Sequence, residues 1–315
     1  MWQWITESFT QLHAWVFEAL VQPLLFRFGL MGWGELAFDG TELFLMGAIE
    51  LIALYILLRP LEALAPVEKW TDRSGADFDV KYSLISKLGI LPLFFFLVLQ
   101  PGFDYVDSNL RLVGIIPPNL EDLLPILKTS PILSAVCYLM IFDFADYWRH
   151  RWEHRFSPWW ALHSLHHSQR QMSFWTDDRE HLLDLTIAAA FRAGLGLLIG
   201  VPPVQFVTVT LISGAIESLS HANVRLAFGW LGDRLIVSPR FHRLHHAMMV
   251  GHEGKARGCN FAAVFSLWDV LFRTANFDPS YHPTGVQDQM QGRDYGQGFW
   301  SQQWLALERL RGAIK

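Results

Sequence analysis

Three stretches decide how this 315-residue chain reads: His150-Arg151-Trp152-Glu153-His154, His163-Ser164-Leu165-His166-His167 and His242-Arg243-Leu244-His245-His246. Residues four apart share one face of a helix, and a residue at i+3 sits beside them, so each box can aim its imidazoles at one point. The second and third boxes follow Ser157-Pro158 and Ser238-Pro239. Serine at the N-cap with proline at the first helical position starts a helix, which places each of these boxes in the first turns of one. A single histidine reads as an ordinary core or surface residue. Eight in three boxes would leave many imidazole nitrogens unsatisfied if buried without ligation. The metal-ligand candidates are therefore His150, His154, His163, His166, His167, His242, His245 and His246.

A zinc ion is filled by about four ligands, so eight imidazoles exceed one zinc and suit two ions. Imidazole binds iron, copper and zinc alike. The HExxH pattern of zinc proteases is missing, because Ala256 stands where the second histidine after His252-Glu253 would be. A di-zinc hydrolase would normally bring carboxylate ligands and a soluble scaffold. All-imidazole ligation beside a membrane favours O2 chemistry.

The membrane is read from composition and runs. Hydrophobic residues make up 51% of the chain and charged residues 17%, against about 25% charged in soluble proteins. A net charge of -5 argues against a nucleic-acid partner, which selects a basic face. Two cysteines, Cys137 and Cys259, exclude a disulfide scaffold or thiolate cluster. Apolar runs occupy 43–58, 84–100 and 123–144, and a hairpin occupies 185–219, turned at Val201-Pro202-Pro203. A full span needs about 20 residues, so the hairpin arms are short, and Arg192 lies within one. Residues 1–40, with Trp2, Trp4 and Trp15, read as an interfacial segment rather than a cleavable signal. Residues 41–275 form the membrane histidine-box domain and 276–315 a soluble tail.

Basic residues alternate between loops. Arg59, Lys69, Arg73, Lys81 and Lys87 follow the first run, Arg111 the second, and Arg149, Arg151, Arg155, Arg170 and Arg179 the third. Positive charge stays inside, so all three boxes meet on the cytoplasmic face. The expected fold is all-α: an integral, multi-pass helical bundle of about four to five membrane-embedded helices under a cytoplasmic helical cap.

The three boxes, with Asp146-Tyr147-Trp148 before the first, resemble those of the fatty acid hydroxylase / sterol desaturase superfamily of membrane diiron enzymes. Asn260-Phe261 and Trp268-Asp269-Val270-Leu271-Phe272-Arg273-Thr274 are similar to the family's segment after the last box, and the likeness runs from about 143 to 274. It implies that His221, in Ser220-His221-Ala222-Asn223, is a further ligand. Some members have a second histidine four residues on, where this chain has Arg225, and His181 is a candidate to fill that gap. Asp143, Asp146 and Glu217 are spaced to accept the second N–H of ligating imidazoles; the alternative is that they pair with nearby arginines. His13 reads as interfacial, His252 as a surface-loop residue and His282 as part of the tail.

The resemblance implies two Fe2+ ions, O2 as cosubstrate, and hydroxylation or desaturation of a C–H bond in a lipid such as a sterol or fatty acyl chain, with hydroxylation preferred. Carotenoid-type ring hydroxylation is an alternative of the same chemistry; a di-zinc membrane metallohydrolase is another. Gly194-Leu195-Gly196 lacks the spacing of a dinucleotide site, so electrons must come from outside, from a ferredoxin or cytochrome b5-like donor and its reductase. A metal transporter would carry its ligands near mid-membrane, whereas here they stand at span ends.

Overall fold

The computed structural model describes residues 2–70, 72–88, 90–251 and 258–314. His252 lies outside them. Among the described residues the regular structure is helical, apart from one antiparallel bridge between Ala247 and Thr284. Helices α1 (Trp2–Val16) and α2 (Gln22–Arg27) lead into α3 (Gly34–Leu64). His13 of α1 is buried rather than interfacial, with Nε2 donating to the Phe38 carbonyl at 2.9 Å.

Met31–Leu64 is the one stretch of described helix long and apolar enough to cross a membrane. The run 84–100 is divided among α4 (Ser74–Lys87), α5 (Ile90–Val98) and α6 (Gln100–Leu112). Pro92 and Pro101 stand in the first turns of α5 and α6, where a missing N–H breaks no bond of the new helix but cannot continue the one before it. The run 123–144 is also interrupted. It passes through α7 (Leu120–Leu123) and a 3-10 turn, Pro125–Thr129, before α8 (Pro131–Arg155) begins. That helix continues past the apolar run and carries the first box.

The second box ends α9 (Ser157–His167). The hairpin is α10 (Leu182–Leu198) and α11 (Pro203–His221), and after α12 (Gly229–Leu235) the third box ends α13 (Pro239–His245). Both boxes thus close their helices instead of opening them. Ser238 does cap α13, accepting from the Phe241 amide at 3.3 Å, but that helix is only seven residues long. Ser157 is already inside α9 and makes no cap bond. The hairpin turn places Gly200 at φ +58°, where a Cβ would stand 2.7 Å from the Pro117 carbonyl, so glycine is required there.

Short helix α14 (Leu267–Leu271) and α15 (Phe299–Ile314) complete the chain. The tail is tied to the rest: Gln302 accepts from Tyr82 at 2.8 Å, and Gln303 accepts from the Leu182 amide at 2.8 Å while donating to the Glu180 carbonyl at 3.1 Å. Trp300 and Trp304 remain exposed. His282 pairs with Asp278 at 3.0 Å. Two buried carboxylates brace the centre from the N-terminal half. Glu62 accepts the amides of Phe174 and Asn223 at 3.0 Å each. Asp79 accepts from Gln169, Thr176 and Arg179 at 2.7–2.9 Å.

Candidate metal centre

The boxes converge in two adjoining groups. His150, His154, His163, His167 and His245 bring their ring nitrogens within 4.8 Å of one another, and so do His166, His221, His242 and His246. Eight of the nine are buried and His150 is half-buried. The division follows helical geometry. Around the helix i+4 lies about 40° to one side of i and i+3 about 60° to the other; here His163 and His167 join the first group and His166 the second, so the box does not aim at one point. In the third box the roles reverse: His242 and His246 join the second group and His245 the first. The groups touch, with the His167 and His246 rings stacked at 4.3 Å.

Donor chemistry fits metal ions. Both ring nitrogens of the fully buried His246, together with Nδ1 of His166 and of His242, have no hydrogen-bond partner. Burial, then the charge of neighbouring imidazoles, holds His150, His166, His242 and His246 well below the usual imidazole range. These rings are neutral and free to ligate at neutral pH.

Facing nitrogens are close. Nε2 of His221 lies 3.1 Å from that of His166 and 3.0 Å from that of His242, and Nε2 of His245 lies 3.1 Å from that of His150. Two nitrogens held at about 2.1 Å by one ion would be about 3.0 Å apart at right angles and about 3.4 Å apart at the tetrahedral angle.

Backbone carbonyls aim several of these rings. His245 Nδ1 donates to the Cys259 carbonyl, and His150 Nδ1 to that of Phe261, each at 2.7 Å. His221 Nδ1 donates to the carbonyl of Glu217, also at 2.7 Å. Carboxylates stand beside one further nitrogen and beside that of His221. Asp184 and Glu153 lie 3.4 and 3.6 Å from His163 Nδ1, and Asp177 lies 3.5 Å from His221 Nδ1.

The expected carboxylate partners behave differently. Asp146 pairs with Arg149 and Arg192, the arginine alternative. Asp143 accepts the amides of Val264 and Phe265 and the Trp268 indole N–H, at 2.8–2.9 Å. It therefore pins the segment after the third box to α8 instead of touching a histidine. Glu217 reaches His221 through its main chain, while its carboxylate faces Arg192 at 3.7 Å.

The structure does not bring His181 to either group. It caps α10, accepting from the Leu183 amide at 3.0 Å, and its Nε2 donates to the Gln303 carbonyl at 3.2 Å; both nitrogens are taken. Nor does Arg225 replace a ligand. It lies beyond the end of α11 and donates to the carbonyls of Ala65, Pro66 and Val67. Among the described residues the second group holds four imidazoles against five in the first.

A cavity of about 40 Å³ opens beside both groups, lined by His150, His163, His166, His221, His242 and by Asp146, Arg149, Glu153, Asp177, Glu180 and Glu217. Burial, then repulsion from Glu217, pushes Asp177 well above the usual carboxylate range; burial and Asp184 do the same to Glu180.

A family model described as fatty acid hydroxylase matches residues 135–274. Ornithine lipid hydroxylase OlsE of Rhizobium tropici is 27% identical over 90% of this chain and 82% of its own length. Human (Homo sapiens) alkylglycerol monooxygenase is 30% identical over 59% of this chain, which spans 38% of that protein. Methylsterol monooxygenase 1-3 of Arabidopsis thaliana is 27% identical over 65% of this chain and 69% of its own length. No solved structure matches. The matched segment, under half of the chain, is similar to the fatty acid hydroxylase family and holds all nine clustered histidines and the carbonyls that aim them.

Proposed function

We propose that this chain is an O2-dependent diiron oxygenase that hydroxylates a C–H bond of a membrane lipid. The observation that carries the reading is the set of nine imidazoles, split five and four, in which both nitrogens of His246 and Nδ1 of His166 and of His242 have no hydrogen-bond partner. His150, His154, His163, His167 and His245 would hold one ion; His166, His221, His242 and His246 the other. Iron is favoured over zinc because the five imidazoles of the first group exceed the usual zinc complement of about four ligands. The three relatives are a lipid hydroxylase and two monooxygenases, which favours a lipid substrate and an oxygenase over a hydrolase.

Bound iron supplies O2 reduction and oxidation of an unactivated C–H bond. The chain's own residues hold the imidazoles neutral, orient them through the carbonyls of Cys259, Phe261 and Glu217, and keep bulk water from a small cavity. Electrons would come from an external ferredoxin or cytochrome b5-like donor.

We also infer that the molecule is embedded in the bilayer, with the histidine centre at its cytoplasmic face. Large apolar side chains are exposed on α3 (Ile52, Ile56, Leu57), on the first half of α8 (Ile132, Leu133, Val136) and on α11 (Val204, Val207). Such a surface suits acyl chains. On α8 it gives way to charged residues near Asp146, toward the boxes.

Elemental analysis and Mössbauer spectroscopy of protein enriched in iron-57 test the reading. About two coupled irons per chain, with O2 consumption that requires reductant and lipid, is the expected result. Zinc alone, with activity that persists without O2, would overturn it.

A further inference from the structure

Nine neutral imidazoles place no charge against the metal they hold. Two divalent ions would therefore leave four positive charges in a buried site, unless the surroundings supply the balance. The surroundings carry an unusual excess of carboxylate. Asp146, Glu153, Asp177, Glu180 and Glu217 line the cavity beside both histidine groups, and Asp184 stands 3.4 Å from His163. Against these six stand the guanidiniums of Arg149 and Arg192. Arg149 pairs with Asp146 and Glu153, and Arg192 with Asp146 at 2.7 Å and Glu217 at 3.7 Å. Lys87 stands between Glu50 at 2.9 Å and Asp178 at 3.7 Å and also faces Asp177; counting Lys87 with Glu50 and Asp178 adds one cation and two carboxylates, so the excess does not shrink.

With all six ionised, as nearby cations would favour, four negative charges stand unmatched by the two guanidiniums. Arg149 takes one oxygen of Glu153, while the other, Oε2, is fully buried with no hydrogen-bond partner, which costs free energy.

We propose that this belt of carboxylates, drawn from α8, the 177–184 segment and α11, is the counter-charge of the metal centre, so that it and not the ligand set balances the ions and biases their oxidation state. The inference rests on the diiron reading. In an enclosed, low-dielectric site a fixed negative charge a few ångströms away favours the more highly charged state of the ions. Glu180 and Glu217 act here as positioning charges without ligating.

The test is the midpoint potential of the iron-loaded protein, titrated with redox mediators and followed by the Mössbauer signal, with iron per chain measured on every sample. Glu180→Gln and Glu217→Gln, each removing one negative charge at constant shape, should raise the potential. Arg192→Gln, removing a positive charge from the same belt, should lower it, and Glu180→Asp should stay near wild type. The opposite signs separate electrostatics from a disturbed fold, which would not track the charge removed. Iron-loaded variants with an unchanged potential, or shifts of one sign for all three neutralising changes, would overturn the proposal. The two glutamine variants sit on different segments, so loss of iron from one leaves the other to decide. Wild-type protein that binds no iron would instead defeat the diiron reading itself.

Discussion

His245 Nδ1 donates to the carbonyl oxygen of Cys259 at 2.7 Å. Two residues on, the Phe261 carbonyl does the same for His150. The residue between them, Asn260, has φ +58° and is fully buried. Its amide donates to the Thr274 carbonyl at 3.1 Å, its side chain donates to the carbonyls of Phe241 and Asn276, and its Oδ1 accepts from the Asn276 amide at 2.7 Å. One residue in the left-handed region, tolerated by asparagine, therefore presents two carbonyls to two imidazoles of the first group. Asn260→Ala should weaken the first ion about 10–100-fold, the range seen when orienting partners of ligands are lost. Iron per chain would fall toward one, with the spectrum of the remaining ion unchanged. Retention of both irons would show that the bracket holds without Asn260.

The alternation within the boxes makes a second prediction. His166→Ala should resemble His242→Ala, in a different box, and differ from His163→Ala three residues away. Each variant should lose about one iron. The Mössbauer spectrum of the ion left behind should be shared by His166→Ala and His242→Ala, and by His163→Ala and His245→Ala. A spectrum that sorted by box instead of by group would show that the imidazoles divide otherwise.

Much of this centre was legible because it is local. Eight imidazoles in three boxes suffice to read a metal site from the sequence, but each box reads as aiming at one point, whereas the second and third are each split between two groups. The exchange of roles between the second and third boxes was not legible, since it depends on how α9 and α13 face each other. The orienting groups were misassigned for a related reason. Asp143 and Asp146 share a face with His150 on α8, but which partner a buried carboxylate takes is set by distant chain: Val264 and Phe265 for one, Arg192 for the other. Main-chain acceptors such as the Cys259 carbonyl leave no mark in residue identity, though the acidic run from Asp177 to Asp184 was visible as composition. The apolar runs at 84–100 and 123–144 read as single helices because hydropathy does not register how Pro92, Pro101, Pro125 and Pro131 divide them.

Asp143 supplies a third test. Its carboxylate is the acceptor for two backbone amides and one indole N–H, and it is 1% exposed. Asp143→Leu leaves all three donors buried without an acceptor, at about 1–3 kcal/mol each. The variant should lose at least about 3 kcal/mol of stability and release the 260–268 segment from α8. Thermal unfolding in detergent would register the first effect, and faster amide exchange at Val264 and Phe265 the second. Asp143→Asn keeps one acceptor oxygen and should fall between the two. Wild-type exchange at those amides in Asp143→Leu would show that the segment is held by its apolar packing alone.

The last prediction concerns acid. In metal-free protein, burial and then neighbouring imidazoles hold His166, His242 and His246 well below the usual range. Unfolded histidine takes up a proton near pH 6.5. Between that pH and the lower folded values the unfolded chain binds more protons than the folded one, so stability rises with pH in this window. The contribution is complete above about pH 6.5 and is lost as pH falls toward the folded values. The melting temperature of metal-free protein should therefore drop between pH 7.5 and pH 5.5. Iron-loaded protein should start higher, because an ion that binds only the folded state adds stability, and then fall more steeply, because protons also displace the metal. His246→Asn, which removes one such ring, should flatten the metal-free profile. A melting temperature independent of pH across this range would mean that the rings can take up protons within the fold, and the packing of nine neutral imidazoles would then have to loosen without metal.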